Sequence, residues 1–357
     1  MEEKRLWLMH LLTTCLLLPK NKEYNKMKET TKQLAEKFAR DFTAAKKAYA
    51  WDGSMAASTF ALARMTYENE VPVERIKEIK QLMRKNSKGL VNLNLTSTRQ
   101  VVAAVIAEEE DPKAALEKID FYFKELRKVT KGADYDAAAA TILCRNAKDG
   151  NEDAILKRVE DIYDGLKKEH PLLTSYDDII NCVLMALTEK ETFDIVNESE
   201  ECFKALKGKF FTKNSVQAVA CILAAFDGDV ETKCAKAVET YNKLYKQKVK
   251  FEHYGIPCVA SVAQVVKDED FDDVVAEIKE VSEVLRHTKG LGNLYVGGGF
   301  RNLLSVALVL SSYAKSVTEN QTGTALNSII NTIIAVQMMT IACTVATVSL
   351  ATSSSSS

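Results

Sequence analysis

The stretch EDAILKRVEDIYDGLKK (152–168), followed beyond Pro171 by SYDDIINCVLMAL (175–187), decides the fold. In the first half Ile155, Val159, Ile162, Tyr163 and Leu166 recur at the alternating three- and four-residue steps that line up one apolar stripe on an α-helix. Lys167 and Lys168 fall in the last turn, where a cation is favoured, and Pro171 stops the helix because it has no N–H and disfavours a helical predecessor. The second half carries its own stripe, Ile179, Ile180, Val183, Leu184 and Leu187. The unit reads as a hairpin of two helices, neither with enough apolar surface to stand alone.

The same unit recurs along the chain. An aromatic three residues before a leucine marks each first helix: Phe123 and Leu126, Tyr163 and Leu166, Phe203 and Leu206, Tyr241 and Leu244. Leu285 continues the series with Ser282 in place of the aromatic, and an earlier copy is centred on Ile79 and Leu82. Second helices recur as Val101-Val102 with Val105-Ile106, then Ile222-Leu223 with Phe226, then Val259, Val262 and Val266, then Leu303-Leu304 with Ala307-Leu308. A fixed period near 40 residues predicts an all-α fold, an α-solenoid of stacked hairpins in which each unit buries its face against its neighbours. The aromatic anchors, Phe203 among them, are expected in the core.

Composition agrees. Of 357 residues 27% are charged and 46% hydrophobic, with 5 prolines and 14 glycines, which excludes disordered and collagen-like classes. The net charge of −1 calls for no nucleic acid. Eight cysteines sit mostly in apolar helical stretches such as Leu143-Cys144, Cys182-Val183 and Cys221-Ile222, with no C-x-x-C, and this pattern fits a reducing, cytoplasmic setting.

The reading is one helical-repeat domain over 1–322, made of a capping helix at 1–23, an irregular first unit at 24–70 and regular repeats over 71–314. An uncharged helix follows at 323–351, then a disordered serine tail at 352–357. The first twenty residues fall short of a signal peptide: Glu2 and Glu3 accompany the basic residues, His10 interrupts the apolar run and no small-residue cleavage site follows. At the other end Ala325 to Leu350 is uncharged and, as a helix, would be about 39 Å long, enough to cross a bilayer core. Asn327, Asn331, Gln337 and several Ser and Thr favour packing on the repeats over a tail anchor.

Four segments carry a resemblance: Trp51-Asp52 leading into a helix, Val73-Glu74-Arg75-Ile76-Lys77, Tyr163-Asp164-Gly165-Leu166-Lys167, and Gly290-Leu291-Gly292-Asn293-Leu294 ahead of a helix bearing Arg301. With the uncharged C-terminal helix, they resemble a bacterial family, the domain of unknown function numbered four thousand and three. The resemblance covers nearly the whole chain and implies a bacterial, one-domain protein; it implies no activity and no site residue.

Charge is arranged by edge. Acids cluster before the first helices, as in Glu108-Glu109-Glu110-Asp111, Glu152-Asp153 and Asp268-Glu269-Asp270, and cations cluster at their ends: Arg84-Lys85, Arg127-Lys128, Lys167-Lys168, Lys207, Lys246 and Arg286. Stacked hairpins place these on two opposite rims. Helix dipoles account for most of the pattern, but second helices begin at the basic rim, where the dipole does not call for cations. Arg127, Lys128, Lys167, Lys168, Lys207, Lys246 and Arg286 therefore form a candidate binding rim.

Other chemistry is thinner. Asp149, Asn151, Asp153 and Glu160 match a calcium-loop spacing, yet Ala154 stands where glycine is needed and helix capping explains the acids, so no metal is expected. Gly297, Gly298, Gly299 and Arg301 form a candidate anion loop, without the strand or the Gly-Lys-Ser that a phosphate loop requires. His10, His170, His253 and His287 form no ligand pair. No nucleophile or acid–base set stands out. The expectation is a non-enzymatic scaffold or adaptor without cofactor that binds proteins. The alternatives are a membrane-tethered adaptor held by 325–350, and a small-anion binder or enzyme at the glycine loop 290–301.

Overall fold

The first backbone N–H groups of a helix lack intrahelical acceptors, and the chain supplies them from its acids. Asp111 accepts from the N–H of Lys113 and Ala114, each at 3.0 Å, with Pro112 at the first helical position. Asp229 takes the N–H of Thr232 at 2.8 Å and Thr212 that of Ser215 at 3.1 Å. The computed structural model describes residues 27–319 apart from 66, 68, 89, 90, 97 and 211. The readings of 1–23, 323–351 and 352–357 lie outside the described residues.

Among the described residues the protein is all-helical, without strands. Its hairpins are α1 (Glu29–Ala48) with α2 (Gly53–Ala63), α3 (Val73–Asn86) with α4 (Arg99–Ile106), α5 (Pro112–Val129) with α6 (Ala133–Asn146), and α7 (Glu152–Glu169) with α8 (Ile179–Ala186). They continue as α9 (Thr192–Leu206) with α10 (Lys213–Ala224), α11 (Val230–Lys246) with α12 (Cys258–Val265), and α13 (Phe271–His287) with α14 (Gly298–Glu319).

First and second helices differ in kind. A first helix buries one stripe, as in α7, where Ile155, Val159, Ile162, Tyr163 and Leu166 are its buried residues. The second helices are apolar nearly all round and buried on every side, the signature of an interior helix. Seven of the eight residues of α8 are buried, and Ala137, Ala138, Ala139 and Ala140 of α6 are fully buried, small enough to let neighbouring helices approach. Leu126, Leu166, Leu206, Leu244 and Leu285 are all buried near the ends of their helices. Of the aromatic partners, Phe123 and Tyr163 are buried, whereas Phe203 and Tyr241 are half-buried. Phe203 packs against the edge of the core and also meets the His170 ring of the preceding connection, with centroids 4.2 Å apart.

Helices α1, α3, α5, α7, α9 and α11 touch in that order, α2, α4, α6, α8, α10, α12 and α14 touch in that order, and α14 packs against α1. The junction of last and first hairpins is polar as well as packed. Glu280 and Glu277 of α13 accept from the backbone N–H of Met27 and Lys28, each at 2.8 Å, placing two carboxylates at the positive end of the α1 dipole. Thr30 and Ser312 are hydrogen-bonded at 2.6 Å.

The connections inside the hairpins touch one another in the same circular order. Arg99 Nε donates to Asp52 at 3.0 Å, Thr98 to the Asp134 carbonyl at 3.1 Å, and the Tyr135 and Tyr176 rings are 5.4 Å apart. Gln217 donates to Thr174 at 3.0 Å, Ser215 to the His253 carbonyl at 3.3 Å and Asn302 to the Lys250 carbonyl at 2.9 Å. Lys46 lies over the Tyr295 ring at 5.5 Å, which links the seventh connection to the first. Gly290 (φ +97°) allows this approach, since a Cβ there would sit 2.9 Å from Lys46 Nζ and 3.3 Å from Phe42.

Candidate interaction rim

The seven connections that join a first helix to its second form one rim. Their cations come from the last turns of first helices, as the dipole favours: Lys46 and Lys47 on α1, Arg84 and Lys85 on α3, Arg127 and Lys128 on α5, Lys167 and Lys168 on α7.

The structure divides the residues that the sequence proposed for this rim. Arg127 forms an ion pair with buried Asp136 at 3.5 Å, Lys128 pairs with Glu125 at 2.6 Å, and Lys167 donates to the Thr174 carbonyl. Arg286 pairs with Glu283 at 2.7 Å. Lys168, Lys207 and Lys246 are exposed, with no hydrogen bond or ion pair to any described residue.

The glycine loop has a different character from the one its spacing suggested. Gly298 and Gly299 open α14, and Arg301 is only 6% exposed. Its Nη1 donates to the Leu291 and Val296 carbonyls, at 3.4 and 3.3 Å, so the arginine braces its own loop.

Apolar side chains share the rim with the cations. Of the ten large hydrophobic residues that the described fold leaves exposed, all but Phe121 and Phe193 lie on these connections or, for Tyr245, on the last turn leading into one. Trp51 is 98% exposed, Leu172 wholly so and Leu294 97%, with Leu95, Tyr176 and Tyr295 more than half exposed. Sequence periodicity had no means of finding them, because they lie between the periodic segments.

Two acids under the rim are masked by burial. Burial pushes the Asp136 carboxyl up to about 6, opposed by the Thr130 hydroxyl that donates to it and by Arg127. Burial, then the charge of Asp177, pushes Asp178 up to about 7, although the Ser175 N–H donates to it at 2.9 Å.

The opposite rim joins second helices to the next first helices; Lys148 and Lys267 are exposed there, but the cations that rise to it from within first helices are engaged. Lys37 of α1 donates to the carbonyl of Arg64 at the end of α2 at 3.0 Å, and to Asp41 at 2.6 Å. Arg64, fully buried, bonds Asp41 at 3.3 Å and also Glu108. Arg158 of α7 donates to the Lys190 carbonyl, Lys236 of α11 to the Val266 carbonyl at 3.2 Å, and Lys118 of α5 bonds Asp149. Lys37 and Lys236 thus reach the carbonyl at the C-cap of their own hairpin's second helix, where carbonyls lack partners, while Arg158 and Lys118 reach the connection just beyond it. Lys118, Arg158 and Lys236 all occupy the seventh residue of their helices. Glu198 has that position in α9, and there it gathers Lys190 and Lys233, which donate to the Phe226 carbonyl. A cavity of about 950 Å³ on this rim is lined by Asn146, Asn151, Arg158, Thr188, Glu189 and Lys190, but Arg158 and Lys190 are already bound to backbone carbonyls.

Among the described residues no group of three or more His, Cys, Asp and Glu is placed to hold a metal ion, and no helix is long and apolar enough to cross a membrane. The span 325–350 lies outside them. The model of a family described as Protein of unknown function (DUF4003) matches residues 41–339. No curated protein and no solved structure matches the chain.

Proposed function

The chain belongs to the DUF4003 family of proteins of unknown function, matched over residues 41–339 of 357, and from that premise we propose that it is a non-enzymatic scaffold that binds another macromolecule through the hairpin-loop rim. Its helices are a repeat array with a period near 40 residues, and the packing of α14 on α1 supports an array drawn into a ring rather than an open stack. The observation that carries the binding role is the coincidence, on one rim, of exposed apolar tips and cations that pair with no described residue. Single scattered apolar residues are ordinary on a protein surface; what supports an interaction surface here is that eight of the ten exposed ones lie on this one rim, and lysines there that pair with no described residue add attraction for an acidic partner.

The test is affinity capture from the native cell with three forms of the full chain. Substituting Lys168, Lys207 and Lys246 by glutamine is expected to remove partners held by the wild type. Substituting Glu231 by glutamine and Asp194 by asparagine, exposed acids at the opposite ends of first helices, is expected to leave them. Retention of every partner by both variants overturns the binding role of this rim.

A further inference from the structure

We propose that the loop rim docks on the surface of an anionic phospholipid bilayer, with Trp51, Leu172 and Leu294 entering the boundary between headgroups and acyl chains. The proposal rests on reading this rim as the binding face and names its partner.

Three observations favour a bilayer over a folded protein. The apolar residues are separate points rather than a patch: Trp51 belongs to the first hairpin, Leu95 to the second, Leu172 to the fourth and Leu294 to the seventh. A protein interface concentrates its apolar core in one well-packed region with a polar surround. Points dispersed around a ring of connections suit a fluid partner, in which each tip finds hydrocarbon without shape complementarity.

The side-chain chemistry also fits a water–lipid boundary. Trp51, Tyr176, Tyr245 and Tyr295 are amphipathic rings of the kind enriched at headgroup level, and the leucines are purely apolar. Trp51, Leu172 and Leu294 stand almost wholly out of the fold, so their insertion needs no rearrangement, while the tyrosines are about half exposed.

Cations outnumber acids among the exposed charges between the tips, with Glu169 and Glu252 the exposed acids among the described residues there, so the net sign is the one an anionic leaflet attracts. Lys168 sits beside Leu172, Lys246 and Lys248 beside Tyr245, and Lys289 before Leu294, all exposed. The acid nearest Trp51 is neutralised within the protein, since Asp52 is paired with Arg99 at 2.7 Å. Basic clusters near apolar anchors are held at anionic surfaces and released by salt.

The experiment uses the full chain and two kinds of vesicle, phosphatidylcholine alone and an equimolar mixture of phosphatidylcholine and phosphatidylglycerol. Flotation is expected to recover the wild type with the mixed vesicles only, and added salt is expected to weaken that recovery. The triple variant W51S/L172S/L294S, folded as judged by an unchanged melting curve, is expected to partition about tenfold less or weaker still. Because 1–23 and 325–350 remain in every form, undiminished binding by the triple variant assigns the membrane contact to those segments and overturns the proposal. A second readout uses the variant W7F, in which Trp51 is the one tryptophan left of two. Its emission is expected to shift to the blue on mixed vesicles and to be quenched by brominated acyl chains; an unmoved spectrum overturns the proposal. Absence of vesicle binding alongside rim-dependent capture of a protein overturns the bilayer assignment while the scaffold reading stands.

Discussion

The two rims of this molecule obey the same dipole rule and end differently. On the rim between hairpins, cations rise from within first helices and terminate on carbonyls or carboxylates: Lys37 on the Arg64 carbonyl, Arg158 on that of Lys190, Lys236 on that of Val266. On the hairpin-loop rim, Lys168, Lys207 and Lys246 are exposed, Lys168 and Lys246 next to exposed apolar side chains. The sign of a charge cluster therefore says little about its role. What separates a charge that holds the fold from one available to a partner is whether the backbone has already claimed it.

The sharpest way to break this comparison is to unpair the engaged rim. Asp41, 2% exposed, receives both Lys37 and the fully buried Arg64. Asp41→Asn leaves two buried cations sharing less negative charge, and the expected loss is about 3–5 kcal/mol. Urea unfolding measures it as a lower midpoint at unchanged slope. A loss below about 1 kcal/mol would mean that the cluster holds no more than surface pairs do, and the contrast between the rims would dissolve.

Asp136 and Asp178 sharpen the comparison from the other side, as buried acids beneath the exposed rim. An unfolded aspartate titrates near 3.9, while in the fold burial pushes these to about 6 and about 7. Between those limits the native state holds protons that the unfolded state has lost. Their contribution is thus complete below about pH 4 and declines as pH rises to about 7. The difference between wild type and the single variant D136N is expected to change by roughly 2–3 kcal/mol between about pH 4 and pH 6, with the variant relatively more stable at the alkaline end. Parallel pH dependences for the two proteins would show that the Asp136 carboxyl titrates as an exposed group.

A smaller effect is expected at Arg158, whose guanidinium donates to the Lys190 carbonyl in the connection that follows α8. Arg158→Gln is expected to lower stability by about 1.5 kcal/mol, the lower end for a hydrogen bond to a charged group. Hydrogen exchange should locate the loosening at residues 184–191. Uniform protection loss across the chain instead would indicate that the contact acts on global stability rather than on that connection.

Much of this was legible in the sequence and the reasons for the rest are physical. Periodicity is local, so the stripe of α7, its stop at Pro171 and the burial of Leu126, Leu166, Leu206, Leu244 and Leu285 follow from residues a few positions apart. The meeting of α14 with α1 does not, because Glu277 and Glu280 read as ordinary helix charges until Met27 and Lys28 arrive from some 250 residues away. The same holds for Lys118, Arg158 and Lys236, whose recurrence at the seventh helical residue was visible but whose targets were not. Arg301 was offered to an anion by the glycines around it, while the carbonyls of Leu291 and Val296 take it up. Phe203 was placed in the core by the repeat register, and it packs against the core's edge, partly buried beside His170. Of the candidate rim, the cations were legible from helix ends; the apolar tips, in aperiodic connections, were not.

The smallest expected effect is the most exacting for the comparison. Lys168, Lys207 and Lys246 have no hydrogen bond or ion pair with a described residue, so replacing them by glutamine removes no contact within the fold. Exposed substitutions away from caps, cores and networks change stability by less than about 0.5 kcal/mol, and favourable dipole placement adds only a few tenths at the ionic strength of a cell. The triple glutamine variant is therefore expected to melt within a few degrees of the wild type, measured by circular dichroism at physiological salt. Were it to lose as much as Arg158→Gln, the lysines would be part of what holds the hairpins together. Their sign and position would then need no partner to explain them, and the case for a binding rim would rest on Trp51, Leu172 and Leu294 alone.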